Sequence, residues 1–74
     1  MKQINTGDPI ILKDAKGLSR HGLKKNMKGM CNQMVVVDNV ELIMFMPNGT
    51  EKLFYVDASR FVLDEEALKE AENG

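Results

Sequence analysis

Between Pro9 and Leu63 the apolar residues fall into short runs separated by turn-forming residues, a rhythm that predicts strands rather than long helices. Ile10-Ile11-Leu12 follows Gly7-Asp8-Pro9, and a proline suits the first residue of a strand because it has no N–H to donate. The first strand is therefore predicted over 9–13. The second spans 30–38 and contains Val35-Val36-Val37, the most β-prone stretch of the chain. Asp38-Asn39 tolerates positive φ and predicts a tight turn into a third strand over 40–46. Pro47-Asn48-Gly49-Thr50 is the strongest turn signal and leads to a fourth strand over 51–56. Asp57-Ala58-Ser59-Arg60 reads as a tight turn or one turn of 3₁₀ helix before a fifth strand over 60–63. Asp64 then opens a short helix over 64–72, as a capping residue with Glu65 and Glu66 in the first turn.

Three consecutive strands in a meander, closed by a first and a fifth strand, predict a mainly β fold: a small five-stranded SH3-like barrel with a short C-terminal helix. Closure relieves the exposed edges that an open sheet of this length would carry. The connection between strands one and two, Asp14–Gly29, is long and glycine-rich, with a helical turn predicted at Leu23–Met27.

Alternation leaves the inner face of the sheet open. Val40, Leu42, Met44 and Met46 share one side of strand three, and Ile43 and Phe45 share the other with Glu41. Both sides are mainly apolar. One makes the core; the other, taken as Ile43, Phe45, Phe54 and Val56, is expected to dock on a partner unless the helix covers it through Leu68. The chain has six methionines, which fill irregular cores and also build adaptable binding surfaces.

Length and charge narrow the class. Seventy-four residues make one small domain, 1–74, near the lower limit for a stable core. One Cys excludes a disulfide framework, and one Cys with one His cannot form a structural zinc site, so no cofactor or metal is expected. No apolar run approaches a membrane span and the first residues lack an apolar h-region, so a reducing cytoplasmic or stromal setting is expected. The net charge of −1 conceals an asymmetry. Residues 1–36 carry seven cations against two acids, and residues 37–74 carry three against nine. Lys16, Arg20, Lys24, Lys25 and Lys28, with His21 among them, concentrate the positive charge in the first connection.

Such a cluster suits phosphate contacts or an acidic protein. The aromatics that stack single-stranded bases are absent from it: Phe45, Phe54, Tyr55 and Phe61 all lie in predicted strands. Cys31, with Lys28 three residues before it and His21 upstream, is the only arrangement resembling a catalytic thiol, and a strand cysteine is more often a small buried hydrophobe. Asp57, Asp64, Glu65 and Glu66 are explained by capping and dipole placement rather than acid–base chemistry.

Gly7-Asp8-Pro9-Ile10-Ile11-Leu12, then Met27-Lys28-Gly29-Met30, then Phe61-Val62-Leu63-Asp64-Glu65-Glu66-Ala67-Leu68 resembles the SH3-like barrels of the electron transport accessory group, over roughly residues 6–68. That group includes the variable chain of ferredoxin–thioredoxin reductase and a small accessory protein of photosystem I. Cys31-Asn32-Gln33 departs from the acidic-glycine step usual there. The resemblance implies a non-enzymatic accessory domain that docks on a larger protein partner or helps seat an acidic electron carrier. The alternative is a KOW-like RNA-binding module using residues 13–28.

Overall fold

The computed structural model describes residues 3–73, with side chains to Glu70. Five strands form one antiparallel sheet: β1 (Pro9–Leu12), β2 (Met27–Val37), β3 (Val40–Pro47), β4 (Phe54–Asp57) and β5 (Phe61–Leu63). Their spatial order is β4-β3-β2-β1-β5. A 3₁₀ turn, Ser19–His21, lies between β1 and β2; a second, Ala58–Arg60, joins β4 to β5; helix α1 (Glu65–Asn73) follows.

β2 begins at Met27, three residues before the expected start, because Met27 and Lys28 pair with Leu12 and Ile11. The helical turn expected at Leu23–Met27 does not form. Lys25 and Asn26 make a tight turn, with Asn26 at φ 69° and the Met27 N–H on the Lys24 carbonyl at 3.2 Å. The ladder starts at Met27, and the helical turn of the connection lies earlier, at Ser19–His21. β4 is shorter than expected: Glu51, Lys52 and Leu53 lie outside it. At the β2–β3 turn Asp38 and Asn39 have φ of 51° and 67°, the pair of left-handed conformations that matches strand twist.

β2 pairs with β3 along most of its length but skips a step, with Cys31 opposite Phe45 and Gln33 opposite Met44. This bulge at Asn32 shifts the alternation of everything beyond it. Cys31 and Met34 face the same side as Phe45 and Ile43, whereas Gln33, Val35 and Val37 share the other side with Met44, Leu42 and Val40.

Each strand contributes to the core: Ile10 and Leu12 from β1, Cys31 from β2, Ile43 and Phe45 from β3, Val56 from β4 and Phe61 from β5. Leu23 enters it from the β1–β2 connection. The Phe45 and Phe61 rings meet at 4.9 Å between centroids, tilted by 50°, within the contact range of favourable aromatic pairs. Gly29 lets Phe45 lie flat on β2, because a Cβ there would fall 2.5 Å from Phe45 Cε1 and closer still to the Met46 carbonyl oxygen.

Asp64 is buried at the start of α1. Its carboxylate accepts from the Ala67 N–H at 3.2 Å and lies 3.9 Å from Lys28 Nζ. The helix contacts β1 and leaves the outer side of β3 and β4 open.

Candidate functional site

The basic residues of the β1–β2 connection are held by a framework of small local interactions. The Asp14 carboxylate accepts from the Lys16 N–H at 3.0 Å, closing a turn that Gly17 continues at φ 79°. Gly22, at φ 81°, terminates the 3₁₀ turn by donating its N–H to the Ser19 carbonyl at 2.9 Å. Leu23 then plunges into the core, and the Asn26 N–H returns to the Leu12 carbonyl at 2.6 Å. Ala15 and Leu18 pack against the core from the same connection.

Arg60 pins this segment from the far end of the chain. Its guanidinium donates to the Lys16 carbonyl at 2.6 Å and to the Asp14 carbonyl at 3.3 Å. Its own carbonyl accepts from Lys13 and Asp14 N–H groups at 2.7 and 3.3 Å. The Asp14 carboxylate, 3.8 Å away and largely exposed, adds little to these bonds.

Lys16, Arg20, His21, Lys24 and Lys25 all stand exposed on this segment. Lys28 belongs to β2 rather than to the connection and leans toward Asp64. Among the described residues Lys16, Arg20, Lys24 and Lys25 have no acidic side chain within ion-pair distance. Four cations in ten residues are therefore unneutralised on a backbone that is tied down. His21 lies against Phe54, with ring centroids 6.4 Å apart, so the connection reaches across to the outermost strand of the sheet.

Ile43, Phe45, Phe54 and Val56 are not a docking face. Ile43, Phe45 and Val56 are buried at the centre of the core and Phe54 is half-buried against it. Apart from Val36, beside the β2–β3 turn, the exposed apolar residues of β2, β3 and β4 lie on the opposite side. There Met30 stands across from Met46, Val35 from Leu42, Val37 from Val40, and Met44 from Tyr55. Both sides of β3 are apolar in sequence, so alternation alone could not choose between them. The bare backbone of Gly29 is the signal that marks Phe45 as the inward side.

Cys31 is fully buried, and its thiol is pushed above its ordinary range by that burial, with the negative charge of Asp8 adding and a hydrogen bond from the Gln33 N–H opposing. A thiol in this setting resists forming the reactive thiolate. His21, exposed and turned to Phe54, is not brought to it. The exposed carboxylate of Asp57 is held below its usual range chiefly by the Ser59 N–H, at 2.9 Å, in its role as cap of the second 3₁₀ turn. No group of three His, Cys, Asp or Glu side chains placed to hold a metal occurs among the described residues. An open depression of about 640 Å³ between the N-terminal segment, the β2–β3 turn and the second 3₁₀ turn is lined by Ile4, Met34, Glu41 and Ala58, among others, and gathers no such group. No helix among the described residues is long and apolar enough to cross a membrane.

No protein-family model, curated protein or solved structure matches this chain.

Proposed function

We propose that this chain is a small non-enzymatic binding module of the SH3-like barrel class, in which the β1–β2 connection engages an acidic segment of a larger protein partner. The carrying observation is the set of four exposed, unneutralised cations, Lys16, Arg20, Lys24 and Lys25, on a backbone anchored by Leu23 and Arg60. Anchoring reduces the ordering cost of binding, and fixed charge of one sign steers an acidic partner. The strand order β4-β3-β2-β1-β5, with a 3₁₀ turn between the last two strands, supports the barrel class. The likeness to the electron transport accessory barrels adds acidic electron carriers to the partner chemistries that fit.

Protein is favoured over nucleic acid by the placement of the aromatics. Phe45 and Phe61 are buried and Phe54 is turned inward, so no base-stacking platform adjoins the cations; Tyr55, the exposed aromatic, lies on the opposite side of β4. The test is a fluorescence titration of the full chain with a glutamate-rich peptide and with single-stranded RNA, each at low and physiological salt. The peptide is expected to bind, to weaken with salt, and to lose at least about tenfold affinity to the Lys24→Glu/Lys25→Glu variant. RNA binding stronger than peptide binding, with a steep salt slope, would transfer the site to the KOW-like reading. Binding of neither would remove the proposal.

A further inference from the structure

The open side of β2, β3 and β4 lies away from the basic connection and has no part in the function proposed above. We propose that it is a self-association surface, on which a second copy of this chain packs sheet against sheet.

Three observations select a second copy as the occupant. The first is area. Tyr55, Val37, Val40 and Met30 are 60, 50, 42 and 38 % exposed, and the half-buried Val35, Leu42, Met44 and Met46 fill the spaces between them. Together they make one continuous open apolar side, on the order of the few hundred Å² that marks an interaction site on a small protein. Two such faces in contact, counted with their rims, approach the roughly 1,000 Å² that a specific interface needs.

The second is charge. Between Met30 and the β2–β3 turn this side carries one charged group, Asp57, at the outer edge and already bonded to the Ser59 N–H. A face with no charge at its centre meets its own copy without like-charge contact, and a net charge of −1 opposes association very little.

The third is the polar content. Asn32 and Gln33, brought onto this side by the bulge, are amides, and Asn32 Nδ2 lies 3.4 Å from Met44 Sδ. An amide donates and accepts at once, so it can pair with its own copy across a two-fold axis. Aligned sheets about 10 Å apart are the packing this geometry permits.

The experiment is sedimentation equilibrium of the untagged full chain from about 10 μM to 1 mM, which reads micromolar to millimolar dissociation constants, with methionine-methyl NMR over the same series. The mass is expected to rise from 8.3 kDa toward twice that value. The Met30, Met44 and Met46 methyls should shift with concentration while Met27 and Met34 stay in place. Val37→Glu and, separately, Tyr55→Ser should raise the dissociation constant at least about tenfold with an unchanged circular dichroism spectrum. Val36→Glu, at the most exposed apolar position but on the other side of β2, should leave it unchanged. A chain that stays monomeric at 1 mM would overturn the proposal and leave the face to a different partner. So would association that moves Met27 and Met34 as much as the outward methionines, or that survives both outer-face substitutions.

Discussion

The space that a side chain at Gly29 would occupy is filled by the ring of Phe45. Phe45 is fully buried and is itself held by Phe61, so it cannot yield. Gly29→Ala is therefore expected to destabilise the chain by about 3 kcal/mol, the upper range for overpacking a tight core. In a domain of this size that is a large part of the total stability. Urea unfolding followed by circular dichroism checks it, and a loss below about 1 kcal/mol would mean that the ring has room to move.

Asp38 and Asn39 occupy two left-handed positions in succession, and glycine adopts the second without strain. Asn39→Gly should stabilise the fold slightly, the relief at positive φ outweighing the added freedom of the unfolded chain, and raise Tm by a few degrees. A thermal melt that shows a fall instead would indicate that the Asn39 side chain contributes to the hairpin.

Arg60 ties the β1–β2 connection through carbonyl groups rather than through charge pairing. Arg60→Met should release the Lys16 and Asp14 carbonyls at a cost of about 1 kcal/mol. Its clearer effect should be local: amide exchange across 16–22 accelerates while β2 and β3 keep their protection. Uniform acceleration across the sheet would show instead that Arg60 supports the whole fold.

Burial raises the pKa of the Cys31 thiol in the folded chain above its ordinary value. At alkaline pH the unfolded chain gives up this proton before the folded chain does, so the unfolded state holds fewer protons there. The contribution is fully present below pH 9.0, the ordinary value, and is lost as pH rises through the folded value. Cys31→Ala should flatten this alkaline fall in stability while costing some core packing at neutral pH. An aromatic disulfide reagent at pH 8 should label Cys31 only as fast as the chain opens; immediate labelling would contradict the buried placement.

Particular residues explain what the sequence disclosed. The Asp38-Asn39 turn, the 3₁₀ turn before Phe61 and the Asp64 cap were legible because each depends on local chemistry of a few adjacent residues. The inner face was not, because Ile43 and Phe45 compete with Leu42, Met44 and Met46 on equal hydrophobic terms. The bulge at Asn32 made β2 harder still, since unbroken alternation from Cys31 would send Val35 and Val37 inward. Leu23 lies between Gly22 and two lysines, and nothing in that neighbourhood marks it as core. Its burial depends on how the connection folds back over the sheet, which is a tertiary property. The exposed cations were legible as a cluster, but the anchoring by Arg60 joins residues far apart in the chain.

Ile10 pairs with Leu63, positions about fifty residues apart, whereas β2, β3 and β4 follow one another directly. During synthesis the earliest strand is thus among the last to be ordered. β1 is made before the other strands and has no neighbour until β2 follows, and its second neighbour, β5, arrives only after β3 and β4. Pulse-labelled exchange during refolding should protect the β2–β3 amides before those of β1, so a truncation just before Phe61 would leave the hairpin sound and β1 unpaired along one edge. The seam between β1 and β5 therefore acts as a latch on the strands between them, joining only after β2, β3 and β4 have all been made.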